Sequence, residues 1–186
     1  TLKTLAIVAA LAASGVAMAD SATLQKVKDT QNINLGVRDS SGLSFTIGNG
    51  KYVGFHTEMG ENIIRDVRRQ LGLASLTTTY VPVNSQNRIP LVTNGTVDLE
   101  CGSTTNTLAR QKDVAFANTT YLEEVRMAVK ADSNIKTFRD LEGKTVVTTT
   151  GTTSVQTLRK DKRAEGIRFK DIQGKDHADS HLLLES

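Results

Sequence analysis

Hydrophobic and polar positions along this chain follow two different periods, one typical of helices and one typical of strands. Apolar residues recur every three to four positions between Met59 and Leu71, which predicts a helix capped by Thr57 and ended by Gly72. The apolar run INLGV at 33–37 predicts a buried strand. The segment LSFTIGNGKYVGF at 43–55 alternates on both sides of Gly-Asn-Gly. It predicts a β-hairpin, because Asn-Gly readily adopts the positive φ of a tight turn.

Further elements follow in alternation along the rest of the chain. Strands are expected at 76–83, 97–102, 114–117, 145–148 and 167–172, and an extended run at 121–130. Helices are expected at 21–30, from Ser85 to about 93, at 106–112, from a Ser154 cap to about 164, and from about Asp179 onward. This alternation predicts an α/β fold with mainly parallel sheets, whose ligands bind beyond the carboxyl ends of the strands.

Polar loops follow four of these strands: RDSSG, NSQNR, GSTTN and TGTTS. Three arginines, Arg38, Arg88 and Arg110, lie just beyond strand ends. Arg88 is expected in the first turn of a helix, where the helix dipole disfavours a cation unless an anion is nearby. Because guanidinium groups bind carboxylates bidentately, three of them suit a ligand with two carboxylates better than a ligand with one.

Hydroxyl side chains are expected at helix starts, where they cap the helix, contact a ligand, or do both. These residues are Ser85, Ser103, Thr105, Thr152 and Thr153.

Two catalytic or metal-binding alternatives have weaker support. Cys101 could act as a nucleophile with His177 as its base, but nothing flanking it lowers a thiol pKa, which favours a buried strand residue. His177 and His181, four residues apart, could bind a metal together with Asp176 or Glu185, yet a third ligand is speculative. A hydrogen-bonding role for His177 in the crevice fits better, and we predict no metal and no cofactor.

Composition narrows the function classes and indicates export. The 186 residues are 38% hydrophobic and 4% aromatic with a net charge of +3, and basic and acidic residues are interspersed. Without clustered basic residues and stacking aromatics, we expect no nucleic-acid binding. Lys3 and the apolar run ending in Ala17-Met18-Ala19 predict a cleaved signal peptide at 1–19. Cys101 is the sole cysteine, so no disulfide can form within this chain.

Several of these motifs together resemble one family, the periplasmic glutamate/aspartate-binding proteins of ABC amino-acid transporters. The motifs are GVRDSSG, VPVNSQNRIPLVTNGTVDLECGSTTN, RQKDVAFANTT, DLEGKTVVTTTGTTS and KDHADS. The resemblance extends from about Ile33 to the end of the chain. It implies a two-lobed α/β periplasmic-binding-protein fold of type II, with a first lobe at 20–127 and a partial second lobe at 128–186.

The resemblance also implies a set of binding residues. Arg38, Ser85, Arg88 and His177 would hold the side-chain carboxylate of L-glutamate or L-aspartate. Ser103, Thr105, Arg110 and Thr153 would hold its α-carboxylate. Members of the family continue for roughly 80–100 more residues, about another lobe's worth of chain, which should supply an acidic partner for the ligand's ammonium.

From this resemblance we expect a periplasmic, monomeric, non-catalytic capture protein that docks on a membrane permease. Three alternatives remain open: an enzyme on the same fold, similar to cyclohexadienyl dehydratase, with His177 or Glu100 as general acid; an adhesin or sensory domain; and a truncated remnant that does not bind.

Overall fold

The computed structural model describes residues 21–39 and 42–186. The expected signal segment at 1–19, and Ser40 and Ser41 of the RDSSG loop, lie outside the described residues. The helices are α1 (Ala22–Thr30), α2 (Phe55–Gln70), α3 (Arg88–Thr93), α4 (Thr153–Glu165) and α5 (His177–Glu185). The strands are β1 (Asn32–Val37), β2 (Phe45–Thr46), β3 (Tyr52–Val53), β4 (Thr77–Pro82), β5 (Leu99–Glu100), β6 (Thr145–Thr149) and β7 (Lys170–Gly174). Short 3₁₀ turns lie at Arg110–Lys112 and Phe138–Leu141.

The first sheet is parallel and has the order β4-β1-β5, which confirms the expected parallel pairing. Its centre is β1, whose Leu35 lies opposite Leu99 and whose Gly36 lies opposite Glu100. The core beside this sheet comes from α1, β1 and α2, and it buries Val27, Ile33, Leu35, Val37 and Ile64. Side chains from β1 contribute most of it because a central parallel strand is covered on both faces.

The second sheet is a parallel pair of β6 and β7, in which Thr145 lies opposite Lys170 and Thr149 lies opposite Gly174. It has its own core of Leu141, Ile167 and Phe169. The hairpin expected around Gly-Asn-Gly is confirmed, because β2 and β3 pair antiparallel across that turn. Two sheets with separate cores give the described part of the chain its two-lobed organisation.

Four expected helix starts are wrong, and a close backbone contact explains the first of them. Helix α2 begins at Phe55 because Gly54 has φ 118° and packs against the backbone of Leu43, whose carbonyl accepts from His56 N at 2.8 Å. Thr57 therefore does not cap this helix; its hydroxyl lies 3.0 Å from the Ser44 hydroxyl.

The boundaries expected at Ser85 and Ser154 also shift. The Asn84 side chain accepts from the backbone of Gln86 and Asn87, which closes a turn over 84–87 and delays α3 until Arg88. Ser85 therefore lies in that turn rather than at a helix start. Helix α4 begins at Thr153, so Ser154 is its second residue rather than its cap.

The last helix begins earlier than expected. Asp176, rather than a residue near Asp179, caps α5, and its carboxylate accepts from Asp179 N at 2.8 Å.

Several strand expectations also need correction. The strand expected at 97–102 pairs over Leu99–Glu100, the one expected at 167–172 pairs over Lys170–Gly174, and 114–117 has no ladder partner in the described residues. The stretch expected to be helical at 106–112 forms a 3₁₀ turn at Arg110–Lys112 instead.

The segment at 113–137 connects the two sheets with no helix or β-ladder. Within it, large apolar side chains such as Leu122 and Val125 are exposed. Nowhere in 21–39 or 42–186 does a helix have the length and apolar character needed to cross a bilayer.

Candidate functional site

Arg38 is the residue directly after β1, and its backbone is fixed by one hydroxyl. The Ser44 Oγ accepts from Arg38 N at 3.2 Å and lies 3.0 Å from the Arg38 carbonyl oxygen, to which it donates. The Arg38 side chain is only 1% exposed, and its Nη2 donates to Ser85 Oγ at 3.1 Å. Strand β1 therefore delivers a buried guanidinium to the carboxyl end of the sheet, where it meets the turn before α3.

Arg88 is the first residue of α3 and is buried with donors to spare. It is 3% exposed, and its Nε and Nη1 have no hydrogen-bond partner among the described residues. Buried N–H groups without acceptors are costly, and charged ones are the most costly. The structure thus holds two buried N–H-bearing nitrogens that an added anion could satisfy.

Arg38, Arg88 and Arg110 form a cationic cluster, in which Arg38 and Arg110 both act electrostatically on Arg88. Burial lowers the pKa of Arg88 to about 10, with further lowering by Arg38 and Arg110 and an opposing effect from Glu100. Like charges that lie this close repel one another in a low-dielectric environment. Anionic groups are therefore the ligands that this cluster favours.

Arg110 connects the two sheets. Its Nη1 donates to the Thr105 carbonyl at 2.9 Å, and its Nη2 donates to the Gly151 carbonyl at 3.0 Å. Gly151 has φ 78°, and a Cβ there would lie 2.5 Å from the Ser85 carbonyl oxygen. The loop after β6 therefore lies directly against the turn before α3, with Arg110 bonded across the gap.

Most of the predicted hydroxyl residues border two neighbouring openings. Ser103 and Thr105 line a cavity of about 460 Å³ together with Arg88. Thr153 lines a second cavity of about 370 Å³ together with Arg110. Ser85, Arg38 and His177 line neither cavity.

His177 comes from the second sheet's side of the site, at the start of α5. Its Nδ1 lies 3.0 Å from the Thr149 hydroxyl. Burial lowers the pKa of His177, and the positive charges of Arg38 and Arg88 lower it further, while Asp176 and Glu123 oppose this effect. A neutral imidazole beside two guanidinium groups can still donate one hydrogen bond.

The structure brings most of the expected residues together, but not in one enclosed pocket. Contacts and electrostatic effects link Arg38, Ser85, Arg88 and His177, whereas Arg110 and Thr153 face the neighbouring opening. Sequence reasoning treated Glu100 only as a candidate acid, whereas the structure places its carboxylate among the arginines. Its position one residue before Cys101 on a strand end was the available signal.

Two chemical alternatives gain no support from the geometry. Burial raises the pKa of the Cys101 thiol to about 11, with Glu100 adding to the effect, so the thiol is protonated at neutral pH. In the part of the chain that the structure describes, no three His, Cys, Asp or Glu side chains are grouped as a metal would require.

This fold, with an anion-favouring site between two sheets, is typical of the class of solute-binding proteins. The chain belongs to the bacterial extracellular solute-binding proteins of family 3, whose model matches residues 33–174.

Its curated relatives include the L-glutamate/L-aspartate-binding protein of Pseudomonas aeruginosa, 42% identical over 187 residues that cover 100% of this chain and 62% of the relative. The glutamate/aspartate import solute-binding protein of Escherichia coli K12 is 39% identical over 188 residues, covering 97% of this chain and 62% of that protein. The chain thus spans 62% of the length of each of these two relatives.

Solved structures confirm the two-lobed α/β fold of type II. The ancestral amino-acid-binding protein AncCDT-1, a precursor of cyclohexadienyl dehydratase, matches with a TM-score of 0.69 at 23% identity, over 88% of this chain and 69% of that one. An arginine-bound truncated form of ArgBP from T. maritima matches with a TM-score of 0.68 at 26% identity, over 87% of this chain and 72% of that one.

Proposed function

We propose that this protein is a periplasmic, non-catalytic solute-binding protein that captures L-glutamate or L-aspartate and delivers it to the permease of an ABC transporter. One observation carries the proposal: Arg88 is buried in a cluster of arginines, and no described residue accepts a hydrogen bond from its Nε or Nη1. A carboxylate would pair these donors and offset the repulsion within the cluster. The names of the relatives from Pseudomonas aeruginosa and Escherichia coli support the same two ligands.

The side-chain carboxylate of the ligand is assigned to Arg38, Ser85, Arg88 and His177. Arg38 and Ser85 are already hydrogen-bonded to each other, so they present a fixed pair of donors. His177 would add a neutral donor from the second sheet. The residues come from three loops at strand ends, which is where an open α/β sheet binds its ligand.

The α-carboxylate is assigned to Ser103, Thr105, Arg110 and Thr153. Arg110 uses Nη1 and Nη2 for one carbonyl each, and a guanidinium has five N–H groups, so three further donors are available to a ligand. Ser103 and Thr105 lie on the first opening and Thr153 on the second. A ligand held by both groups would lie across the contact between the two sheets.

The organisation of the whole protein is part of the same proposal. We assign 1–19 to an export signal, 20–127 to the first lobe and 128–186 to the described part of the second lobe. The separate cores around Leu35 and Phe169 support this division. We expect the protein to act as a monomer.

Calorimetric titration of the purified chain with glutamate, aspartate and glutamine tests the proposal. We expect both dicarboxylates to bind and glutamine to bind at least about 100-fold more weakly, because its amide leaves a buried charge unpaired. Arg88→Met should abolish binding of the dicarboxylates. Arg139→Met is the matched control, since Arg139 is exposed and pairs with Glu165 on the surface. Equal affinity for glutamine, or no binding of either dicarboxylate, would disprove the proposal.

A further inference from the structure

Glu100 occupies a position that two glycines keep open. It lies on β5 opposite Gly36, and a Cβ added to Gly36 would lie 3.3 Å from the Glu100 side chain. Two residues later, a Cβ on Gly102 would lie 2.5 Å from Glu100 Oε1 and 2.6 Å from Arg38 Cγ. The carboxylate and the Arg38 side chain therefore pack against the same side of Gly102.

The two oxygens of this carboxylate have different surroundings. Thr104 Oγ1 donates to Oε2 at 2.7 Å. Oε1 is buried and accepts no hydrogen bond from the described residues. A buried carboxylate with an unfilled acceptor is unfavourable by itself, so its surroundings must stabilise the negative charge in another way.

The surrounding arginines provide that stabilisation, and Glu100 stabilises them in turn. Burial lowers the pKa of Arg38, Arg88 and Arg110, and Glu100 raises the pKa of each of the three. Asp176 also raises the pKa of Arg38. Glu100 is thus the carboxylate whose charge reaches the whole cluster.

We propose that Glu100 is a positioning residue that serves as the resident counter-ion of the empty site. It holds the three guanidinium groups close together until the carboxylates of a bound ligand take over this role. The second half of this inference rests on the proposed function, since it needs a dicarboxylate ligand. It follows that Glu100 stabilises the ligand-free protein and also competes with the ligand for the same cations.

The test begins with ligand-free protein. Glu100→Gln keeps the size of the side chain and its contact with Thr104 but removes the charge. We expect it to lower the melting temperature by about 4 °C in low salt. Raising sodium chloride from about 0.05 M to about 0.5 M should leave most of that loss in place, because the buried charges of Arg38 and Arg88 are screened only weakly.

Asp171→Asn is the matched control. Asp171 is also a partly buried carboxylate with one unpartnered oxygen, but it pairs with Arg159, away from the cluster. Its loss in melting temperature should be smaller than that of Glu100→Gln, because Asp171 pairs with one arginine rather than with a cluster of buried arginines. A loss in Glu100→Gln that is no larger than the loss in Asp171→Asn would overturn the inference.

A double-mutant cycle with Arg88→Met adds a second readout that lost packing would not move. If Glu100 acts by neutralising Arg88, Glu100→Gln should lower the melting temperature less in the Arg88→Met background than in the wild type. Equal losses in both backgrounds would refute the electrostatic role.

The competition with ligand is measured by adding glutamate. We expect the glutamate-induced rise in melting temperature to be larger in Glu100→Gln than in the wild type, and an equal or smaller rise would refute competition. Absence of any rise in the wild type would count against the proposed function, while the ligand-free double-mutant cycle would still decide the role of Glu100.

Discussion

Replacing Arg88 with methionine should stabilise the ligand-free protein. Arg88 is 3% exposed, and burial, followed by the charge of Arg38, lowers its pKa to about 10. This lowering from the ordinary pKa of arginine corresponds to a cost of roughly 3 kcal/mol for the charged form at neutral pH. Methionine has a similar length and needs no hydrogen-bond partner. That cost already includes the attraction to Glu100, and methionine leaves part of the space of the arginine unfilled, so we expect a net gain of about 1–3 kcal/mol.

Thermal unfolding of the ligand-free variants measures this gain. For a chain of 186 residues, each kcal/mol moves the melting temperature by about 2–4 °C, so Arg88→Met should melt about 2–12 °C above the wild type. Arg110→Met is the comparison of opposite sign, because it removes hydrogen bonds to the Thr105 and Gly151 carbonyls. If Arg88→Met lowers the melting temperature as Arg110→Met does, then Arg88 is a structural residue and the reasoning fails.

Two further predictions concern the contact between the sheets and the effect of pH. Gly151→Ala should destabilise the protein and weaken dicarboxylate binding, because its Cβ would lie 2.5 Å from the Ser85 carbonyl oxygen. The control is Gly143→Ala, since Gly143 has a similar positive φ of 72° but open space around it. In the same calorimetric and thermal measurements, the control gives the cost of the backbone conformation alone. The lowered pKa of His177 means that the unfolded chain binds the proton more readily, so stability should fall as the pH drops below the ordinary histidine value of 6.5. His177→Asn should flatten the fall in melting temperature between about pH 7 and 5.5, and His181→Asn is the control. If His177→Asn leaves the dependence of melting temperature on pH unchanged, His177 is not the group responsible for the fall.

Patterns of hydrophobic residues predicted the sheets well and the element boundaries less well. The apolar run at 33–37 is the central strand because its side chains are needed on both faces of the sheet. The helix start expected at Thr57 was wrong because a close backbone contact between Gly54 and Leu43 decides it, and no local propensity reports such a contact. The start expected at Ser85 was wrong because the Asn84 side chain closes a turn there first.

The candidate site was predictable in its chemistry but not in its balance of charge. Three arginines beyond strand ends indicated an anion site, and the structure gathers Arg38 and Arg88 as buried neighbours. Their mutual repulsion could not be read from the sequence, because it depends on burial and distance. For the same reason, the position of Glu100 at a strand end could mark it as a candidate but could not show that it lies among the arginines.

The contact between the two sheets has a consequence for the energy of hinge bending. Among the described residues, the lobes are joined by one connecting segment at 113–137 and by polar contacts such as Arg110 with Gly151 and Gln86 with Lys175. Hydrogen bonds that are partly open to water each contribute little net free energy, so opening this cleft is inexpensive. A molecule bound across the cleft would therefore supply much of the cohesion that keeps it shut, and its departure would leave the two halves nearly independent.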